Sequence, residues 1–355
     1  MRTPVAMMAL GCAERNHPHL MDTQPSSSQH DLPTILSGPW TADARQRAFE
    51  CEVSTHYVEY YRRAVTQRNW SPWHNLPIEE MQQLGSRLSS TSADLIEGFL
   101  GIEEYVGDYV QTGLNLFRQD RTRRNAQLQW GAEEARHSVA WELVLKHSHA
   151  RTDAQLETYM KKAHAGVWDV RQHADMDNPL GVTIYSMIQE RATHFHYQKM
   201  RLRIREEYGL SLTPTSQEQA RGFEVGASEA FRLVALDEIA HHGLFLRIVQ
   251  SAIKYFPAQT FEILVRVVRG FKMPALHLIP NVRTYIRAVR QADFYSPEIH
   301  EQEIYQPILR AIGLESHVAL ERAVAAASQL PVDLAPESLS LKRTGEWCIE
   351  GQGSN

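Results

Sequence analysis

The chain has 355 residues, 43% of them apolar, which is enough to bury the core of one large domain or two ordinary ones. Its 37 basic and 42 acidic residues give a formal charge of −5, so it lacks the positive excess of a general nucleic-acid binder. No run of residues approaches the roughly 20 apolar positions of a membrane span. Its three cysteines are far apart in sequence, which argues against a disulfide framework and favours a reducing, intracellular setting.

The two ends of the chain differ in composition from its middle. Residues 1–38 are rich in Ser, Pro, His and Thr and are predicted to form a disordered tail, in preference to a targeting segment. Residues 329–355 are again rich in Pro, Ser and Gly, and predict a peripheral tail with a small hairpin over residues 341–349. A single domain is therefore expected over residues 39–328.

Four predicted helices in this domain each place a carboxylate within an apolar stripe. In chain order they cover residues 96–110 with Glu103, 123–147 with Glu134, 179–205 with Glu190, and 228–249 with Glu238. The third follows Asn178-Pro179, which is a common start of a helix. Because no strand-like alternation precedes the C-terminal tail, the pattern predicts an all-α bundle.

Two of the four acids belong to a Glu-x-x-His motif, which ends at His137 in the second helix and at His241 in the fourth. This spacing puts both side chains of a motif on one helical face. Unpaired carboxylates in an apolar core are costly, and two iron ions would balance four of them with the oxygen and nitrogen ligands that iron accepts. In ferritin-like bundles, two single Glu residues and two Glu-x-x-His motifs hold such a pair. The sequence thus predicts a ferritin-like four-helix core with additional helices and a di-iron site of six residues: Glu103, Glu134, His137, Glu190, Glu238 and His241.

Several segments also resemble the soluble acyl-acyl-carrier-protein desaturases. These are Trp130-Gly-Ala-Glu-Glu-Ala-Arg-His137, Ile188-Gln-Glu-Arg-Ala-Thr193, Asp237-Glu-Ile-Ala-His241 and Lys272-Met-Pro-Ala275. The resemblance runs from about residue 70 to 281, in order and with compatible spacings. It does not cover the two tails well.

The resemblance implies an enzyme of lipid biosynthesis that uses two iron ions and O2 to introduce a double bond into a fatty acyl chain. It further implies an acyl-carrier-protein partner, a ferredoxin-type electron donor, a homodimer and a cytoplasmic location in a bacterium, with a plastid as the alternative. Residue by residue, it places Thr193 beside the O2-binding face. It assigns Trp70, His137 and Asp237 to an electron route.

Some alternatives stay open at this point. A shift of one residue in the resemblance makes Glu104 the first ligand in place of Glu103. Hydroxylation instead of desaturation, a coenzyme A thioester instead of a carrier protein, and a ferroxidase-like iron binder are the functional alternatives. The basic segment with Arg118, Arg121, Arg123 and Arg124 is either a docking site for an acidic carrier or an ordinary solvated turn.

Overall fold

Every regular element in the described part of the chain is helical. The computed structural model describes residues 42–169 and 178–327; the predicted tails over 1–38 and 329–355, with the hairpin, lie outside these ranges. The α-helices are α1 (Ala42–Gln67), α2 (Pro72–Asn75), α3 (Ile78–Leu84), α4 (Ser90–Glu103), α5 (Val106–Leu116), α6 (Arg121–His147), α7 (Asp153–Ala163), α8 (Pro179–Glu207), α9 (Ser216–Arg221), α10 (Ala227–Tyr255), α11 (Pro257–Gly270), α12 (Val282–Gln291), α13 (Pro297–His300), α14 (Gln306–Ala311) and α15 (His317–Ala327). A 3₁₀ turn at Gly85–Arg87 and a π-helical turn at Glu301–Tyr305 complete them.

Side-chain caps start three of the four long helices that carry the predicted ligands. Ser89 accepts a hydrogen bond from the backbone N–H of Ser92 at the start of α4, and Asp120 accepts from two backbone N–H groups of α6. Asn178 caps α8 through the backbone N–H of Gly181, at 2.8 Å, and Pro179 occupies its first position. These residues satisfy amides that a helix start leaves without partners. The predicted starts at residues 123 and 179 lie within two residues of the observed ones, whereas α4 begins six residues before the predicted start at residue 96.

The helices α4, α6, α8 and α10 form the centre of the bundle, and a layer of polar side chains divides their apolar contacts into two clusters. One cluster contains Trp130 of α6, Ile188 of α8 and Phe245 of α10. The other contains Trp141 of α6 and Phe231 of α10, with much of α4. The early parts of α6 and α8 and the late part of α10 therefore share one cluster, so α10 runs antiparallel to both.

The stripe predicted over residues 96–110 is interrupted in the structure. Helix α4 ends at Glu103, and α5 begins only at Val106. Between them, the buried Tyr105 donates a hydrogen bond from its hydroxyl to the carbonyl of Ala163, the last residue of α7, at 2.8 Å. This tertiary contact fixes the turn, which the periodicity of the apolar residues alone does not reveal.

Helix α12 packs closely against α4. A Cβ atom at Gly98 of α4 would lie 2.0 Å from the ring of Tyr285 in α12, so only glycine permits this approach. On the other side of the bundle, α1 packs on α6 and α10. Among the described helices, none combines the length and the apolar composition that crossing a membrane requires.

Candidate metal centre

The structure brings the six predicted ligands together inside the central bundle, all of them buried. One group consists of Glu103, Glu134, His137 and Glu238, and a second group of Glu134, Glu190, Glu238 and His241. Within each group the candidate ligand atoms lie within 4.8 Å of one another. Glu134 and Glu238, which belong to both groups, thus lie between two adjacent positions for a metal ion.

The two remaining acids each accept a hydrogen bond from a buried aromatic side chain. The hydroxyl of Tyr197 donates to Glu103 at 2.6 Å, and the indole N–H of Trp130 donates to Glu190 at 3.1 Å. Each bond holds one carboxylate oxygen and fixes the orientation of the side chain. The sequence reasoning identified neither pairing, because both join residues on different helices.

Glu103 lies in the cluster, whereas Glu104 does not. Glu104 turns away and contacts Ser138 and the exposed His164. The side chain of Glu104 is 15% exposed, against 5% for Glu103. The geometry therefore favours Glu103, and the assignment of a ligand role to it stays a prediction.

Two further acids lie directly behind the two histidines, in a reciprocal arrangement. Asp237, next to Glu238, lies 3.3 Å from Nε2 of His137, the histidine of the other motif. Glu133, next to Glu134, lies 3.0 Å from Nε2 of His241. Both histidines thus turn Nε2 towards an outer carboxylate and Nδ1 towards the cluster, as metal-binding histidines commonly do. Glu133 was missed, although the repeated pattern acid-Glu-x-x-His in the sequence indicates it.

The outer acids pair with arginines, whereas the inner acids pair only with His137 and His241 among the described residues. Arg68 lies 3.2 Å from Glu133, and Arg136 lies 3.0 Å from Asp237. Among the described residues, no lysine or arginine forms an ion pair with any of the four inner glutamates. Four buried carboxyl groups therefore face one another, and two divalent cations would balance their charges once the carboxyl groups are ionised.

In the metal-free cluster, burial and neighbouring charges favour protons that are shared between the carboxyl groups and the histidines. Burial and the charge of Glu134 raise the pKa of Glu103 and of Glu190 well above the usual range. Burial also opposes the ionisation of Glu134, but His137 and His241 lower its pKa below the usual value. The pKa values of both histidines are raised by the surrounding carboxylates, despite burial. Metal ions bind to deprotonated ligands, so loading the cluster would displace these protons.

The donor atoms at the centre fit a pair of metal ions. Oε1 of Glu134, Oε1 of Glu238 and Nδ1 of His137 make no hydrogen bond of acceptable geometry with any described residue. Nδ1 of His137 nevertheless lies 3.2 Å from Oε1 of Glu238, and Nδ1 of His241 lies 2.9 Å from Oε1 of Glu134. Buried polar atoms normally have a partner, and converging oxygen and imidazole donors without one suit iron or a similar transition metal.

The structure also brings together the residues that the family resemblance connects in an electron route. The indole N–H of Trp70 donates to Asp237 at 2.8 Å, and the same carboxylate oxygen lies 3.3 Å from His137. Trp70 is 8% exposed, so this chain of contacts runs from near the surface to the cluster. Arg136 lies over the ring of Trp70, 5.0 Å from its centroid, and holds it in place.

Thr193 lies between the cluster and a large cavity. Its hydroxyl donates a hydrogen bond to Glu238, and its side chain also lines a cavity of about 690 Å³. Tyr197, the partner of Glu103, lines the same cavity. The wall is mainly apolar and aromatic, with contributions from Phe99, Phe271 and Phe294. A long apolar substrate would fit a cavity of this volume and lining.

Two other histidines on these helices contact backbone carbonyl groups and do not take part in the cluster. Nδ1 of His194 lies 2.8 Å from the carbonyl of Ala235, and Nδ1 of His242 lies 2.8 Å from the carbonyl of Met187. Neither contributes an atom to the two groups of candidate ligands.

Two solved structures are similar to this chain, and the first of them supports the fold. DesA2 from Mycobacterium tuberculosis H37Rv, which carries the provisional name of acyl-ACP desaturase, is 18% identical; the match covers 78% of this chain and 99% of that one, with a TM-score of 0.52. An R2-like ligand-binding oxidase with a reconstituted Mn/Fe cofactor is 16% identical over 73% of this chain and 93% of that one, with a TM-score of 0.45. The search of curated proteins found no match to the chain. The predicted all-α, ferritin-like fold is confirmed by the helical structure and its likeness to DesA2.

The assignment of the chain to a family rests on its sequence. Residues 118–337, more than half of the chain, match the fatty acid desaturase model. This segment contains both Glu-x-x-His motifs and Glu190, and the helices that hold them pack around one buried carboxylate and histidine centre. The chain belongs to the fatty acid desaturase family.

Proposed function

We propose that the protein binds two iron ions in the buried cluster and uses O2 to introduce a double bond into a fatty acyl chain held by a carrier protein. One observation carries the proposal. Four inner glutamates converge with two histidines beside an apolar cavity of about 690 Å³, and no lysine or arginine in the described part of the chain pairs with these glutamates. The convergence of four carboxyl groups and two imidazoles supports a site for metals, and the cavity supports an organic substrate in preference to iron storage or oxidation alone.

The proposal gives each cluster residue a role. Glu134 and Glu238 would contact both ions, because their carboxylates belong to both groups. His137 and Glu103 would complete the first position, and His241 and Glu190 the second. When bound, a di-iron pair supplies the oxidising power that removal of hydrogen from an unactivated C–H bond requires. The protein's own contribution is to fix these side chains, exclude water and hold the chain next to them.

Residues around the cluster would handle protons and electrons. The hydroxyl of Thr193 lies between Glu238 and the cavity, so it can hold or pass a proton at the edge of the substrate site. The contacts from Trp70 through Asp237 to His137 would carry electrons from a ferredoxin-type donor. Both roles are proposals that rest on these contacts and on the family resemblance.

A basic surface next to the cavity supports an acidic carrier protein as the partner. Helix α12 lines the cavity with residues that include Ile286 and Val289. Its Arg283, Arg287 and Arg290 are exposed, at spacings of four and three residues. The basic segment over 118–124 supports docking less well, because its Arg123 is buried and paired with Asp120. A homodimer remains a prediction from the family resemblance.

Analysis of the product by mass spectrometry tests this function. The iron-loaded protein, a ferredoxin with its reductase, and acyl-carrier-protein substrates should yield a product that has lost two hydrogens. Addition of oxygen to the chain would instead support the hydroxylase, and oxidation of iron without any change to the acyl chain would overturn the proposal. Glu103→Gln should abolish the reaction, and its neighbour Glu104→Gln, with the same change of charge, provides the matched control.

A further inference from the structure

A second, smaller cavity adjoins the first one beside the cluster. Its volume is about 40 Å³, and its wall includes Trp130, whose indole N–H donates to the cluster. Tyr109 in this wall donates a hydrogen bond to the carbonyl of Ile102 in the wall of the first cavity, at 3.2 Å. The hydroxyl oxygen of Thr193 in the first wall lies 3.1 Å from the carbonyl oxygen of Gln189 in the second. The two walls are therefore in direct contact.

One face of α8 runs along both cavities. Ser186 and Gln189 line the second cavity and Thr193 lines the first, at spacings of three and four residues, which place side chains on one helical face. At a rise of 1.5 Å per residue, Gln189 lies about 6 Å and Ser186 about 10 Å from Thr193 along the axis. An acyl chain that extends past Thr193 along this face would therefore reach the second cavity several carbon atoms beyond the one presented to the cluster.

Three polar side chains in the wall of the second cavity lack partners. Those of Gln127, Ser186 and Gln189 form no hydrogen bond with any described residue, and none of their oxygen or nitrogen atoms is completely covered. Ser186 and Gln189 are only 9% and 8% exposed, so the surface that they keep faces the cavity. A ligand in the cavity can therefore reach these atoms. Because buried polar groups normally have a partner, they indicate a ligand with hydrogen-bonding groups.

Gly113 of α5 gives one of these amides its place. A Cβ atom at Gly113 would lie 2.4 Å from Nε2 of Gln127, so an alanine would displace the amide. Both residues line the cavity. The glycine thus allows a polar group to occupy a wall that is otherwise largely aromatic.

The rest of the wall restricts the ligand to a neutral group. Within the described ranges, no charged side chain lines this cavity. Tyr57 adds a hydroxyl, and burial raises the pKa of Tyr57 to about 12, so this group is neutral as well. Four further hydroxyls already bind backbone carbonyls, those of Tyr109, Thr112, Thr183 and Tyr185.

The free amides and hydroxyls define the chemistry of the ligand. An amide offers both N–H donors and an oxygen acceptor, and a hydroxyl can donate and accept. A methyl end can use neither, and a carboxylate would find no cation. A keto oxygen can accept from an amide, and a hydroxyl can in addition donate to one.

We propose that the acyl substrate carries a hydroxyl or keto oxygen in the part of its chain remote from the carrier, bound by Gln127, Ser186 and Gln189 in the second cavity. The inference rests on the proposed function, because it takes the first cavity as the entry of the acyl chain. It adds the substrate class, an oxygen-substituted chain in place of a plain saturated one. The three residues would act in positioning and specificity, because a bound oxygen fixes which carbon is presented to the cluster.

Binding of matched chains to the full-length protein tests this inference without turnover. The ligands are palmitoyl-pantetheine, monohydroxypalmitoyl-pantetheines with the hydroxyl at successive positions, and the corresponding keto compounds. Titration calorimetry under anaerobic conditions gives their dissociation constants. We expect at least one isomer with its oxygen in the half of the chain remote from the thioester to bind about tenfold more tightly than the plain chain, which corresponds to one or two net hydrogen bonds.

Two results with the unaltered protein would overturn the inference. One is that the plain chain binds as tightly as every oxygenated isomer, as expected if water alone occupies the polar wall. The other is a preference only for isomers with the oxygen next to the thioester, because that end of the chain would lie in the first cavity. Neither result depends on the folding of a variant.

Variants separate hydrogen bonding from shape. In Gln127→Leu and Gln189→Leu, which keep the approximate size of the side chain, the preference for the oxygenated chain should fall to about twofold or less, while the plain chain still binds. Val182→Ala is the control, because it changes the same wall without removing a polar group and should alter the affinities for both chains by the same factor. A preference that survives in both glutamine variants would contradict the inference.

The outcomes for this inference and for the proposed function are distinguishable. Because the binding assay needs no desaturation, an oxygenated preference without product formation would count against the proposed function alone. Desaturation of plain chains without any oxygenated preference in binding would count against this inference alone.

Discussion

Replacement of Glu133 tests most specifically whether an outer acid supports a metal-binding histidine. It is completely buried and lies 3.0 Å from Nε2 of His241, and it also accepts a hydrogen bond from Tyr60. Despite burial, the hydrogen bond and charge of His241 lower the pKa of Glu133 to about 2, with Arg68 contributing. The side chain is therefore a carboxylate at neutral pH, and it orients His241 and increases its basicity.

Glu133→Gln keeps the size of the side chain and removes its charge. Loss of an acid behind a metal-binding histidine typically weakens metal binding by about 10- to 100-fold, or about 1.4–2.7 kcal/mol. We expect a loss of this size at the position that contains His241, and a smaller effect at the position that contains His137. Asp237→Asn, the reciprocal change behind His137, should show the opposite preference between the two positions.

Anaerobic titration with Fe(II) against a competing chelator measures both affinities. Glu134→Gln serves as the reference for loss of a ligand, and it should abolish stable loading of both positions because its carboxylate belongs to both groups. Two results would refute the distinction between inner acids that bind metal and outer acids that support the histidines. One is an unchanged iron affinity in Glu133→Gln, and the other is a loss of affinity as large as that in Glu134→Gln.

Further predictions concern the electron route, the cluster's protons, an ion pair and the contact of α12. Trp70→Phe removes the donor to Asp237, so it should cost about 1.5–3 kcal/mol of unfolding free energy and slow reduction by ferredoxin, with metal content unchanged; equal reduction rates would contradict the route. Loading two Fe(II) ions at pH 7 should release protons, seen as a dependence of the calorimetric enthalpy on the buffer, since burial raises the pKa of Glu103 and of Glu190 and so favours their protonated forms until metal binds. Arg205 lowers the pKa of Glu218 to about 2, so this pair stabilises the fold above pH 4.5 and the contribution disappears as the pH falls towards 2. Glu218→Gln should therefore cost about 3 kcal/mol in denaturant unfolding at pH 7 and much less at pH 3, and equal costs would contradict the pairing. Gly98→Ala should displace Tyr285 and cost about 1–3 kcal/mol, with weaker binding of acyl chains; an unchanged melting temperature would show that the contact relaxes freely.

The candidate site could be predicted from sequence to the extent that it follows helical spacing. Two Glu-x-x-His motifs put their side chains on one face whatever else surrounds them, and apolar neighbours show that this face is buried. The position of Glu103 within an apolar stripe, in contrast to Glu104, could be inferred in the same way. The structure brings these residues to one place, as that reasoning predicts.

Contacts between distant segments could not be predicted in this way. Glu133 precedes a ligand on its helix and would be solvated on an isolated helix, but α1 covers it with Tyr60 and the residue after α1 adds Arg68. The break after Glu103 depends on the contact of Tyr105 with the last residue of α7. The cavity depends on α12 and on the segment that precedes it, where the sequence shows only a Pro-containing joint.

Anomalous X-ray diffraction at the iron absorption edge tests the di-iron centre most directly. The crystals are loaded with Fe(II) under anaerobic conditions. We expect two anomalous peaks within the cluster, with Glu134 and Glu238 between them and Nδ1 of one histidine at each. The absence of peaks, a single ion, or iron bound only elsewhere on the protein would contradict the di-iron centre.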